Sequence, residues 1–387
     1  MIPPYEIKKI ENGRKKVMGE IIQQLINGLS MGSIYALIAL GYTMVYGILK
    51  LINFAHGEIY MIGAFASYYS FQRLFFINLA SKFKVNLQFA TDYFDKVDIL
   101  KTNPSIASAF VTKNSSSFGL TQAQTLNNTM VVEVINKQVH SLELFKNYIS
   151  THSVIIFISI LVIAMVVTAL FGIILEKLAY KPLRNSSRIS VLLTALGVSM
   201  FLQNGGIKLF GAGKAFPQLI EKKAYMIGDA IIFNHQIIIM VVAFVLMIVL
   251  TIIVKYTKTG KAMRAVAFDG VAAKLMGIDI NRTISFTFAI GSALAAAAGV
   301  LVGMTFGKID PLMGMMPGIK AFVAAVLGGI GSIPGAVIGG LIMGISESVV
   351  VGFVSSTYKD AIAFGILILI LIIKPSGLFG SNVKEKV

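Results

Sequence analysis

From Val154 to Leu175 the chain carries no charged residue, only aliphatic, aromatic, Met, Ser, Thr and Gly side chains. A helix of that length matches the roughly 20 residues needed to cross a hydrocarbon core of about 30 Å. With no polar face to turn towards water, such a helix must sit in lipid or be buried all round. Comparable runs recur at Ile21–Leu49, Ile59–Ile77, Ile189–Phe210, Ile237–Val254, Thr283–Phe306 and Ala361–Ile373. They lack the apolar–polar alternation of a membrane barrel. Of the 387 residues, 56% are hydrophobic and 13% are charged, and the mean hydropathy is +0.79. A soluble domain is about one quarter charged. The expected fold is an all-α polytopic membrane protein with about eight transmembrane helices, some interrupted or re-entrant.

The formal charge of +16 would suggest nucleic acid in a soluble protein. Here the basic residues gather in loops between apolar runs, which is the cytoplasmic bias of membrane proteins, and no basic face is left for nucleic acid. Lys177, Lys181, Arg184 and Arg188 place one loop inside, with Glu176 as its acid. Alternation then places the C-terminus inside and the stretch 78–150 outside. That stretch is rich in Asn, Ser, Thr, Lys and Gln and contains no run able to span. It is expected to be an extracytoplasmic hydrophilic insert, α-rich or partly ordered. Its two glycosylation patterns, at Asn114 and Asn127, are too short to be informative.

The divisions expected are a polar extension at 1–20, first membrane segments at 21–77, the insert at 78–150 and membrane helices at 151–254. A cytoplasmic loop at 255–282, membrane helices with a Gly-rich hairpin at 283–380 and a cytoplasmic tail at 381–387 follow. Basic residues 8–16 fall on the outer side in this scheme. Translation from Met18 would remove that conflict, and Glu11–Lys16 can be encoded almost wholly by purines, as a ribosome-binding sequence would be.

Two irregular elements interrupt the apolar pattern. Asn53, His56, Gly57 and Glu58 lie between the first two runs. They read either as an interfacial turn with Glu58 favouring a helix dipole, or as a broken helix lining a path through the membrane. The second element lies within Ile319–Val351, whose centre contains Gly329, Gly331, Ser332 and Pro334 and cannot continue a helix comfortably. A helical hairpin or pair of half-helices with its tip pointing inward is expected. The two elements echo each other weakly, as interrupted helices in the two halves of a transporter do. Gly28 and Gly32, like Gly299 and Gly303, have the spacing that lets helices approach closely.

Lys255–Arg282 holds six basic residues and a short helix of its own. Asp269 suits its N-cap and Gly277 its left-handed end. Ala272, Ala273, Leu275 and Met276 offer an apolar face. Two turns of helix in a loop are not stable alone, so this one needs a partner to dock into. Gly211–Lys214 looks like a fragment of a phosphate-binding loop, but Lys208 and Ala215 occupy positions where that motif needs Gly and Ser or Thr.

Cysteine is absent, and the spans offer neither a metal cluster nor a nucleophile–base pair. No catalytic residue, metal or cofactor is expected. Glu58, Glu347 and His56 are the ionisable groups assigned to spans, a thin set for an ion-coupled secondary transporter.

Four stretches resemble one family. They are GSIYALIALGYTMVYGILKLINFAHGEIYMIGA (32–64), AYKPLRNSSRISVLLTALGVSMFLQN (179–204), GKAMRAVAFDGVAAKLMGI (260–278) and GIKAFVAAVLGGIGSIPGAVIGGLIMGISE (318–347). Together they are similar to the LivH-type permease subunit of branched-chain amino acid ABC importers. The resemblance implies an inner-membrane permease for branched-chain or other hydrophobic amino acids. Its implied partners are a homologous second permease, two ATP-binding subunits and an extracytoplasmic substrate-binding protein. It makes Arg264, Asp269, Ala272, Ala273, Leu275, Met276 and Gly277 the ATPase-coupling residues. It also favours the broken-helix reading of Asn53–Glu58. Urea or a short amide is the alternative cargo, since related permeases carry these. The insert is longer than the family's pattern.

Overall fold

The computed structural model describes residues 4–50, 53–118, 128–184 and 186–380. The expected tail 381–387 and Asn127 of the second glycosylation pattern lie outside the described residues. The chain divides into two compact units. The larger holds residues up to Ser67, Leu161–Gln218 and Lys222 onward; the smaller holds Tyr68–Ile160 and Leu219–Glu221.

The helices wholly or mainly in the larger unit, in chain order, are α1 (Pro4–Leu49), α2 (His56–Ser70), α3 (Ser153–Leu175), α4 (Arg188–Phe210), α5 (Asn234–Tyr256), and the shorter α6 (Lys258–Phe268) and α7 (Gly270–Leu275). They continue with α8 (Ile280–Phe306), α9 (Met315–Gly328), α10 (Ile333–Phe353) and α11 (Lys359–Ile373). Among the described residues, seven helices are long and apolar enough to cross a membrane, and α9 is a shorter apolar one. The polar extension is helical from Pro4 and continuous with the first span.

Local chemistry sets several boundaries. Asp279 accepts the backbone N–H of Arg282 at 3.1 Å to start α8, and Gly307, with φ 66°, ends it in the left-handed region. Ser332 accepts from Gly335 N at 3.2 Å to start α10. The second apolar run does not end at Ile77: α2 passes into a π-helical stretch, Phe71–Phe76, and then a further helix, Ile77–Lys82.

Gly28 and Gly32 meet a partner of their own kind. A Cβ built on Gly32 would lie 2.8 Å from Leu341 Cα, and one on Gly28 would lie 2.6 Å from Ile345 Cα. Gly340 and Gly344 of α10 face Ala36 and Gly32 in return. Small residues on both sides bring the backbones of α1 and α10 together, which is how membrane helices gain contact without a hydrophobic driving force.

The expected hairpin is α9, a turn over 329–332, and α10. Gly329 (φ 100°) and Gly331 (φ 96°) take backbone conformations that L side chains rarely adopt. Leu378 N and Phe379 N donate to Leu327 O and Gly328 O at 2.9 Å each, closing the end of α9. Gly211–Lys214 shows nothing of a phosphate loop: Lys214–Ala215 (β1) pairs antiparallel with Lys308–Ile309 (β4). A hairpin of Ala224–Ile227 (β2) and Ala230–Phe233 (β3) lies between them in sequence.

The smaller unit is α-rich. Its longest described helix, Asn128–Thr151, buries Val131, Ile135, Val139, Leu142, Phe145 and Ile149, a stripe of helical period. Phe145 packs with Phe76 and Phe94 at centroid distances of 5.2 and 5.3 Å. Asn86 caps Leu87–Tyr93 by accepting from Phe89 N at 3.1 Å.

Candidate functional site

The connection after α1 is packed inside the protein. Lys50 ends the helix with φ 54°, and the chain turns back so that Asn53, His56 and Glu58 are all buried. The His56 ring lies against Gly41, more than two turns back along α1, where a Cβ would overlap its Nε2. It also meets the Tyr42 ring edge-on at 4.8 Å. Helix α2 therefore starts against the side of α1, with its first polar residues enclosed by protein. Irregular backbone among membrane helices is tolerated where protein surrounds it, as here.

Close approach of glycine to glycine shapes the next wall. A Cβ on Gly57 would lie 2.5 Å from Gly314 O, and one on Gly318 would lie 3.0 Å from Gly57 Cα. With the start of α2 pressed onto the start of α9, a cavity of about 240 Å³ opens between α1, α2, α4 and α9. Tyr42, Glu58, Ser199 and Gln203 supply its polar lining. Phe54, Leu196, Met200, Met315, Ile319 and Phe322 supply an apolar wall. Among the described residues no lysine or arginine lines it.

Glu58 is 3% exposed. Its Oε1 accepts from the Ser199 hydroxyl at a long 3.4 Å, and its Oε2 has no hydrogen-bond partner. Asn53 accepts the Tyr180 hydroxyl at 2.5 Å through Oδ1, while its Nδ2 is unpartnered, as are His56 Nε2 and the Tyr60 hydroxyl. Buried polar groups are normally satisfied, so this cluster departs from the rule at several atoms in one place.

The hairpin tip is elsewhere. Gly329, Gly331, Ser332 and Pro334 do not line the cavity; a Cβ on Gly47, near the end of α1, would lie 3.8 Å from Gly331. From this element the cavity takes the first half of α9 instead. Gly314 and Gly318 escaped the sequence reading although they have the same four-residue spacing as Gly28 and Gly32. Ser199 and Gln203 had no signal, being ordinary polar positions on a helix.

The count of ionisable groups in the spans was too low. Lys320 on α9 is buried, with its Nζ 2.6 Å from Glu347 Oε1 on α10 and 2.8 Å from Asp360 Oδ1 on α11. The Tyr35 hydroxyl donates to Glu347 Oε2 at 2.7 Å. Glu176 is no loop acid either. It is fully buried, forms an ion pair with Arg184 and accepts the Ser285 hydroxyl at 2.7 Å. Arg184 also donates to Asn281 Oδ1 at 2.7 Å, tying the end of the α3 span to the first turns of α8.

In the basic stretch, Asp269 Oδ1 accepts from Val271 N at 2.8 Å and Ala272 N at 3.0 Å. Ile278 N to Ala273 O and Gly277 N to Lys274 O, each 3.0 Å, end α7, with Gly277 at φ 80°. This is the double bond pattern of a glycine-terminated helix. The apolar face differs from the expected one: Ala273 packs inward, and Phe268 (94% exposed) and Val271 join Leu275 (84%) and Met276 outside. Arg264 turns to its own chain, donating to Val254 O and, at 3.2 Å, to Lys255 O at the end of α5. Among the described residues no group of His, Cys, Asp and Glu is placed to hold a metal.

A family model described as branched-chain amino acid transport system / permease component matches residues 24–371. The chain is 37% identical over 372 residues to the high-affinity branched-chain amino acid transport system permease protein LivH of Escherichia coli K12, covering 95% of this chain and 97% of that one. It is equally similar to the BraD permease protein of Pseudomonas aeruginosa, at 37% over 95% and 98% of the two chains. Similarity to a probable LivH of Methanocaldococcus jannaschii is 33% over 58% of this chain and 74% of that one. No solved structure matches the chain.

Proposed function

We propose, because this chain belongs to the family of branched-chain amino acid transport system permease components, that it is the membrane permease of an ABC importer for branched-chain or other hydrophobic amino acids. It pairs with a homologous second permease, receives cargo from an extracytoplasmic binding protein, and is driven by two ATP-binding subunits. It sits in the cytoplasmic membrane with the C-terminus and the α6–α7 elbow inside and the 78–150 insert outside.

The observation that carries the ATP-driven reading is the exposed face Phe268, Val271, Leu275 and Met276. These apolar side chains stand on two capped helices between basic residues, away from any apolar cover of their own. A docking groove on an ATP-binding subunit would bury them. Because Arg264 ties α6 to the end of α5, a push on α7 reaches α5. It also reaches α8, which begins at Ile280 and is held by the Glu176–Arg184–Ser285 cluster. Rigid motion of these spans would alternate access to the cavity.

Replacing Leu275 and Met276 together by Glu tests this. Burying each side chain is worth about 1.5–3 kcal/mol, so their loss weakens docking about a hundredfold or more at 1.4 kcal/mol per tenfold. ATP-driven leucine uptake by the assembled transporter in proteoliposomes is expected to collapse while the permease stays folded. Uptake at the wild-type rate would remove the docking role from this face.

A further inference from the structure

Among the described residues of the larger unit three glutamates are buried, and two of them have a resident cation. Glu347 has Lys320, and Glu176 has Arg184. Glu58 has a long bond from Ser199 and a free Oε2, beside a cavity without lysine or arginine. A buried carboxylate without a counter-charge is costly, and that cost is relieved by a proton or by a cation that arrives. A metal ion fits poorly, since hard cations take several oxygen ligands and the opposite wall is Phe54, Leu196, Met200, Ile319 and Phe322. At about 240 Å³ the space is below the 300–1,000 Å³ common for drug-sized ligands. A compact apolar chain ending in an ammonium group fits both walls.

We propose that this chamber binds primary alkylammonium groups, with Glu58 supplying the counter-charge and the apolar wall taking the alkyl chain, and that it makes no charged contact to a ligand carboxylate. The ammonium has three donors, enough for Glu58 Oε2, the Ser199 hydroxyl and the Gln203 carbonyl oxygen. Ligands are therefore read here by their amine end. This rests on the transport reading for the natural cargo, an amino acid, and on the geometry alone for the binding itself.

The absence of cysteine allows a direct test on the full chain in its assembled complex. A single Gln203→Cys reporter is treated with cationic aminoethyl or anionic sulfonatoethyl methanethiosulfonate, with rates normalised to a free thiol. The cationic reagent is expected to react at least about tenfold faster, the lower range for a charge-assisted contact. Glu58→Gln should bring the ratio close to one, and Glu58→Asp should keep it. Isopentylamine and leucinamide should protect the thiol; 4-methylpentanoate and sodium chloride at equal concentration should not. Protection by the carboxylic acid or by sodium as strong as that by the amines overturns the proposal. So does a ratio that survives Glu58→Gln, or a failure of both Gln203→Cys and a second reporter, Met200→Cys, to react at all. Leucine uptake is scored separately on the unsubstituted complex: amine protection in the reporter without uptake there rejects the transport reading and keeps the site, and uptake without amine protection does the reverse.

Discussion

Glu347 and Glu58 lie in the same bundle, each buried and each in a stretch of small and apolar residues, yet their surroundings are opposite. Around Glu347 the chain supplies a cation and a donor: Lys320 lies between it and the half-exposed Asp360, and Tyr35 takes its second oxygen. This set joins α1, α9, α10 and α11, next to the close contact of α1 with α10. Around Glu58 the chain stops short of satisfying the carboxylate and leaves a cavity in place of a cation. The first arrangement holds helices in register. The second can be completed by something that comes and goes. Helix α9 takes part in both, with Lys320 on one side and Gly318, Ile319 and Phe322 on the other. The charged set thus positions a wall of the chamber.

The largest expected effect breaks the satisfied side. Lys320→Met leaves Glu347 and Asp360 without their cation and is expected to cost about 3–5 kcal/mol, as removal of one partner of a buried pair does. Denaturant unfolding in detergent measures it, and adding Glu347→Gln should recover part of the loss. Glu347→Gln alone is milder because Lys320 keeps Asp360. It should cost about 1.5–3 kcal/mol, the range for hydrogen bonds to charged groups. The smallest effect sharpens the contrast: Glu58→Gln, which removes an uncompensated charge, should leave stability within about 0.5 kcal/mol of wild type or raise it. If Glu58→Gln destabilised as much as Lys320→Met, the two carboxylates would be playing the same structural part, and the distinction drawn between them would fail.

Elements governed by local pattern were readable in advance. The uncharged run at Val154–Leu175 is a helix because nothing in it needs water, and Asp269 and Gly277 bound α7 because capping is decided within a few residues. Gly28 and Gly32 announced a close helix contact, although the partner, α10, lies more than 300 residues away. Of the face expected on α7, Ala272, Leu275 and Met276 are exposed and Ala273 is not. Helical spacing puts Val271 and Leu275 on one side of α7, but only packing shows that Ala273 turns inward.

What the sequence by itself determined is the class of the molecule: an all-helical membrane protein with two irregular elements and one basic elbow. Those follow from hydrophobicity, glycine and capping chemistry, which act over short distances along the chain. Only the tertiary structure decided which charges are spent and which are left over. Lys320 looks like an anomaly in an apolar run until Glu347 and Asp360 are beside it, and Glu176 looks like a solvated loop acid until Arg184 and Ser285 close on it. Glu58 resembles both in sequence. It differs because charge compensation depends on distance in space, and the space opposite Glu58 holds a cavity with no lysine or arginine in its lining.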